Sequence, residues 1–223
     1  MTLRLEVHTD AEAAARRVAA LVRERLTDRP GAPRGSEPPS ALFALALSRA
    51  RRALLAALAG GGLPWEDVAV YQVDERVAPA GSDDRNATAL LATLPAGRLH
   101  LMPVDDEDLD GAAARYEASL PHRLDLVHLG LGADGHTASL VPFDPVLEVR
   151  DRAVAVTGEY EGFQRITLTY PVLEAALELV WLVTGAEKRE ALRRLLDRDP
   201  SIPAARLDSP AQLVVADESA APR

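Results

Sequence analysis

Asp134, His136 and Thr137 follow one another almost directly, set among Gly130, Gly132 and Gly135. An apolar run, Leu124 to Leu131, leads straight into them. A histidine brings a group that exchanges protons near neutral pH. Glycines on either side let the backbone take positive φ and come close to a ligand. A buried strand opening into such a turn is where α/β proteins bind small molecules, outside the carboxyl ends of their strands. The same residues also fit a tight turn carrying a solvated histidine, so the rest of the chain must decide between the two.

Two further polar groups stand at strand ends. Val68 to Val73 runs into Asp74, Glu75 and Arg76, and Leu179 to Thr184 is followed by Gly185 and Lys188. Arg165 opens another strand-like run, RITLTY. Singly these read as a solvated turn, an exposed helix charge and an edge charge that discourages aggregation. If the strands are parallel, their carboxyl ends share one sheet edge and the groups face one crevice.

The elements that must position these groups alternate. Leu3–His8 reads as a strand. Asp10 caps a helix whose apolar face is Ala11, Ala14, Ala15, Val18, Leu21, Val22 and Leu26. Residues 28–40 are a loop rich in proline and glycine. Ala41–Leu47 reads as a buried strand, residues 49–59 as a helix ending at Gly60-Gly61-Gly62, and 87–94 as a short helix. A strand is expected at 99–102 and an amphipathic helix at 107–120. Strands follow at 124–131, 153–156, 165–170, 179–184 and 213–215. A helical turn lies at 171–176 and a helix at 187–196, and the last few residues read as a loose tail. This pattern predicts an α/β fold with a doubly wound, mostly parallel sheet and helices on both faces. The 223 residues are expected to form a single domain, 1–223.

Composition narrows the function. A net charge of −9 argues against nucleic-acid binding but leaves room for a small anionic ligand in a locally basic cleft. The chain has no cysteine, which excludes disulfides, thiolate metal sites and cysteine nucleophiles and fits a cytoplasmic protein. No apolar run is long enough to span a membrane, and residues 1–30 do not form a signal peptide. The five histidines show no HxxxH or HxH spacing, and His128, inside an apolar strand, reads as a satisfied core residue. There is no GxSxG elbow and no Walker loop. Gly130, Gly132 and Gly135 match GxGxxG, yet no amphipathic helix continues after them.

The stretch DLVHLGLGADGHTASLVP resembles the signature of 6-phosphogluconolactonases, a strand followed by GxGxDGHTASLFP. WEDVAVYQVDERVAP at 65–79, Asn86, QRITLTYPVLEAA at 164–176 and VTGAEKREAL resemble further landmarks of that family, in its order. The resemblance covers nearly the whole chain from Ala41 onward. It implies a Rossmann-like sheet and hydrolysis of 6-phospho-D-glucono-1,5-lactone without a metal or organic cofactor. His136 would be the general base acting on water, with Asp134 and Asp74 orienting or tuning it. The turn amides of Gly132 and Gly135 would steady the oxyanion. Arg76, Arg165 and Lys188 would bind the phosphate, with Glu75 part of the same substrate-binding group. The related glucosamine-6-phosphate deaminases carry a glutamate where this chain has Val141, and they lack Thr-Ala-Ser-Leu at 137–140. Both differences favour the lactonase. The partner implied is a phosphosugar lactone, with no nucleic acid and no membrane, and the assembly a monomer or weak homodimer.

One landmark differs. The family's first phosphate loop, SGGSTP, is replaced by Ser48 followed by Arg49-Ala50-Arg51-Arg52. TGEYEGF at 157–163 replaces a proline-rich segment. Ser48, Arg51 and Arg52 are therefore expected to contact phosphate through side chains in place of backbone amides. A different sugar lactone, or a non-catalytic sugar-phosphate-binding protein, is the alternative this loop raises.

Overall fold

The apolar runs become neighbouring strands at the centre of the molecule. The computed structural model describes residues 2–28, 43–47, 52–95 and 98–222. Ser48, Arg51 and nearly all of the 28–40 loop lie outside the described residues. In chain order the first half comprises β1 (Thr2–His8), α1 (Ala11–Thr27), β2 (Phe43–Leu47), α2 (Arg52–Ala59), β3 (Val68–Gln72), β4 (Asp74–Arg76), α3 (Asn86–Thr93) and β5 (Leu99–His100). The second comprises α4 (Leu109–Ser119), β6 (Leu126–Leu129), β7 (Val154–Val156), β8 (Arg165–Leu168), α5 (Tyr170–Glu174), β9 (Glu178–Val183), α6 (Arg189–Leu196) and β10 (Ala211–Asp217).

Seven strands form one sheet in the order β1-β10-β9-β6-β2-β3-β5, and every neighbouring pair is parallel. From β2 the chain builds outward through β3 to β5. It then returns to the other side of β2 and builds through β6, β9 and β10. The order therefore reverses between β2 and β6, the point where open α/β sheets leave a crevice at their carboxyl ends.

The sheet is covered on both faces, which is why its central strands are apolar throughout. One face carries Leu45, Leu47, Leu126, Val180 and Leu182 against α1 and α2. The other carries Val127, Leu129, Trp181 and Val183 against α4, α6 and neighbouring segments. Asp10 caps α1 as expected, accepting from the Ala13 amide at 2.7 Å.

The expectation of a single, mostly parallel sheet holds for these seven strands and misses a second sheet. β4, β8 and β7 form a three-stranded antiparallel sheet. The chain leaves the main sheet at Val73, whose amide bonds Leu47 O while its own carbonyl accepts from Leu168 N. Segment 157–164 between β7 and β8 is shorter than the dozen or so residues that a parallel crossover needs, so an antiparallel pair is the available solution. The end of the chain is also tied down rather than loose. Ala220 is fully buried, and Arg189 donates to the carbonyls of Ser219 and Ala221.

Glu75, expected to face the substrate, is turned inward. Its carboxylate accepts from Gln72 Nε2 at 2.7 Å and from the amides of Arg76, Asn86 and Ala87 at 2.9, 2.8 and 2.8 Å. Alternation along β4 sends Asp74 and Arg76 one way and Glu75 the other, onto the start of α3, where a carboxylate meets orphan N–H groups and the favourable end of the helix dipole. Glu75→Ala leaves these buried donors unpaired. Urea denaturation is expected to show a loss of about 3 kcal/mol, from removal of a charged acceptor shared by several buried groups.

Candidate functional site

The turn after β6 is built around two short carbonyl contacts. Gly132 N donates to His136 O at 2.8 Å, and Gly135 N donates to Gly132 O at 3.0 Å. A side chain at residue 132 is impossible without rearrangement, because a Cβ would lie 2.2 Å from His136 Nδ1 and 2.5 Å from Asp134 Oδ1. Gly135 has φ +87°, and a Cβ there would lie 2.4 Å from Ile202. Both glycine amides are therefore spent on the turn itself. The expectation that they steady an oxyanion is corrected on that ground.

The turn presents His136 to Asp134. Asp134 Oδ1 accepts from the His136 amide at 3.1 Å and lies 2.7 Å from its Nδ1. Asp134 Oδ2 accepts from the Tyr160 hydroxyl at 2.9 Å. Partial burial alone would raise the pKa of Asp134, but the hydrogen bonds and charge of His136, with the Tyr160 hydroxyl, hold it well below the usual carboxylate range. An ionised carboxylate only accepts, so Nδ1 carries the proton and Nε2 is left with its lone pair toward the cavity. The Tyr160 ring meets the His136 ring edge-on at 5.5 Å. Its own hydroxyl is pushed up to about 12, first by burial and then by Asp134.

His136 opens onto a cavity of about 350 Å³ at the switch point of the sheet. Asp74, Arg76, Gly132, Arg165 and Lys188 line it, so half of the residues singled out by sequence, His136 included, converge there. Asp134 stands behind His136, and Gly135 backs onto Ile202. Arg52 is exposed at the start of α2 and is not among the described residues that line the cavity. Asp74 is buried and accepts from Ser139 Oγ at 2.8 Å. The carboxylate bonded to His136 is Asp134.

Three cations give the cavity its sign. Arg165 is 3% exposed, lies over the Tyr160 ring at 5.0 Å and donates from Nη2 to Tyr160 O at 3.2 Å, while its buried Nε has no hydrogen-bond partner. Glu161, exposed at the rim, lies 3.5 Å from the same guanidinium. Arg76 is buried and donates to Asp84 O at 3.0 Å. Lys188 has no ion-pair partner among the described residues.

Three contributors were missed or misjudged in the sequence. Tyr160 lies in the segment that departs from the family pattern. A two-residue turn with positive φ at Glu161 and Gly162 presents it, closed by mutual Tyr160–Phe163 backbone bonds. A Gly flanked by aromatics was the available signal. Asn86 was noticed only as a landmark. It lines the cavity with Nδ2 donating to Asp74 O at 2.8 Å and Oδ1 unpartnered. His128 was expected to be a satisfied core histidine. It is buried, but neither ring nitrogen has a partner among the described residues, and it lines the cavity. Burial pushes its pKa down to about 4.

A profile of the family described as glucosamine-6-phosphate isomerases/6-phosphogluconolactonase matches residues 8–218. The chain belongs to this family. It is 39% identical over 171 residues to the 6-phosphogluconolactonase of Nostoc sp. (strain PCC 7120), covering 69% of this chain and 71% of that one. It is 35% identical over 222 residues to the 6-phosphogluconolactonase of Streptomyces coelicolor, covering 87% and 83%. The crystal structure of 6-phosphogluconolactonase from Thermotoga maritima superposes with a TM-score of 0.81 at 24% identity, covering 97% and 99%. That likeness shows the shared fold. Val141, where the resemblance places the deaminases' glutamate, is aliphatic and 3% exposed.

The buried histidine sets a pH dependence. Its pKa is about 4 when folded, against an ordinary value of 6.5. Between these values the unfolded chain binds a proton that the folded chain does not, so stability rises with pH across the window and is lost as pH falls through it. Chemical denaturation from about pH 7 to about pH 4 is expected to show wild type losing on the order of 3 kcal/mol relative to His128→Leu, which removes that slope.

Proposed function

We propose that this chain hydrolyses 6-phospho-D-glucono-1,5-lactone to 6-phosphogluconate with His136 as the general base. The observation that carries the mechanism is the Asp134-held imidazole opening onto a cavity lined by Arg76, Arg165 and Lys188. The names of the Nostoc and Streptomyces relatives support the substrate.

His136 Nε2 takes a proton from water as the water oxygen attacks the C1 carbonyl. The imidazolium is stabilised by Asp134, whose own negative charge is kept in place by Tyr160. The tetrahedral oxyanion then collapses. The bond from C1 to the ring oxygen breaks, and that oxygen takes the proton back from Nε2, giving the open acid and restoring neutral His136. Arg76, Arg165 and Lys188 bind the 6-phosphate, with the guanidinium forks suited to its oxygens. Asp74 and Asn86 supply acceptors on the cavity wall for sugar hydroxyls. No cofactor enters this sequence of steps.

The same proposal takes the assembly as a monomer or weak homodimer that binds neither nucleic acid nor membrane, and the net charge of −9 supports the exclusion of nucleic acid. The pairing of β1 with β10, from opposite ends of the sequence, supports a single domain over 1–223. A phosphorylated sugar does not cross a bilayer freely, so the enzyme works in the compartment that holds its substrate, which this proposal takes to be the cytoplasm.

Two variants test the mechanism against spontaneous lactone opening. His136→Ala is expected to lower kcat by about 10²-fold or more with the fold intact by circular dichroism. An unchanged rate removes His136 from the chemistry, and a wild type indifferent to the 6-phosphate removes the substrate assignment. Tyr160→Phe keeps the ring but deletes the hydroxyl on Asp134. It is expected to lower kcat about tenfold, the effect of one hydrogen bond to a charged group, with KM little changed.

A further inference from the structure

His128 is out of keeping with its surroundings. It is the third residue of β6, paired with Leu47 on β2 and Val180 on β9. The side chains sharing its face, Leu45, Leu47, Leu126, Val180 and Leu182, are all apolar core. The imidazole is 2% exposed, and neither of its nitrogens has a hydrogen-bond partner among the described residues. A buried polar group normally finds a partner, because leaving one unmade is costly. An aliphatic residue would fill this position at no such cost. Neutral imidazole always holds one N–H donor and one acceptor, and here both are unused.

The position says where a partner would come from. His128 lines the cavity that also holds His136, Arg165 and Lys188. It lies on the strand pair where the sheet order reverses, beside Leu47, the last residue of β2. Arg76, Arg165 and Lys188 line this cavity against the carboxylates of Asp74 and Glu161, a lining with an excess of cations that suits an anionic ligand offering acceptors. A donor fixed on a rigid central strand is well suited to read that group, since its geometry is set by the sheet and not by a loop.

We propose that His128 is a substrate-binding residue whose ring N–H donates to an oxygen of the bound sugar phosphate's phosphoryl group. This rests on the reading of the cavity as a phosphosugar site. It gives His128 a specificity role for the phosphoryl group, separate from the proton transfer at His136. It also explains why a destabilising residue occupies a core strand: the hydrogen bond missing in the free protein is made in the complex.

The test uses the intact chain and the reaction product. In wild type, the ring nitrogen resonances of His128, assigned by their absence in His128→Leu, are expected to shift when 6-phosphogluconate is added and to stay in place with gluconate. His128→Leu is expected to melt at a higher temperature than wild type without ligand, and to bind 6-phosphogluconate about tenfold more weakly by calorimetry, as for loss of one hydrogen bond to a charged group. A purely structural histidine would give the opposite change in melting temperature. Equal shifts with gluconate would mean a hydroxyl contact and overturn the proposal. So would an unshifted His128, or unchanged affinity in the variant, in an enzyme that still hydrolyses the phosphorylated lactone. A wild type that does not hydrolyse that lactone removes the underlying reading itself.

Discussion

The hydrogen bond between Asp134 and His136 is the contact around which the site is arranged. A histidine acts as a base at one nitrogen only if the other is held, and the 2.7 Å contact to Asp134 Oδ1 does the holding. Its requirements spread outward. Residue 132 must lack a side chain because the ring and carboxylate fill the space where a Cβ would stand. Residue 135 must take positive φ to bring His136 back over that carboxylate. The second carboxylate oxygen needs a donor, and Tyr160 supplies it from the turn joining β7 and β8. The small antiparallel sheet thus serves two purposes. It carries Asp74, Arg76 and Arg165 to the cavity, and its connecting turn completes the environment of Asp134.

The cavity also concentrates features that a fold avoids elsewhere. The His128 ring nitrogens, Asn86 Oδ1 and Arg165 Nε are buried without hydrogen-bond partners among the described residues, and all three residues line it. Ala138 and Glu161, both on its wall, have φ 52°. Backbone in this region costs on the order of 1 kcal/mol or more per residue and persists only when the surroundings impose it. At Ala138 those surroundings are visible. Thr137 Oγ1 bonds Gly130 O, Leu140 N bonds Thr137 O, and Ser139 is held by both Thr167 and Asp74. Rigid core on both faces of the sheet offsets these local costs.

The parts of this arrangement legible in the sequence are those governed by local rules. Apolar runs announced β2, β6 and β9, the first between a proline-rich loop and a charged helix start and the other two ending at glycine, and Asp10 announced the start of α1. His136, Asp134, Arg76, Arg165 and Lys188 were singled out because they follow or begin such runs. What stayed hidden depends on facing and pairing. Glu75 sits between two cavity residues, and only the alternation of β4, seen in three dimensions, turns it onto α3. The antiparallel pairing of β7 with β8 follows from a connection too short to cross over, a length constraint that period alone does not express. Tyr160 is 26 residues from Asp134, and no spacing rule links them. His128 looked like core because its neighbours are core. The unmet demand of its ring appears only once the positions of all possible partners are known.

These two histidines show how one strand can divide binding from chemistry. β6 carries His128 within its regular part and delivers His136 just beyond its end. The first is fixed by sheet pairing on both sides, and the second by a turn with its own carboxylate. Neutral His128 suits a donor whose charge must not compete with the cations around it, and burial keeps it neutral. His136 needs the reverse, an environment that tolerates a transient positive charge, and the ionised Asp134 provides it. The same side chain type is thus set to two tasks by what stands next to it: apolar core in one case, a carboxylate in the other.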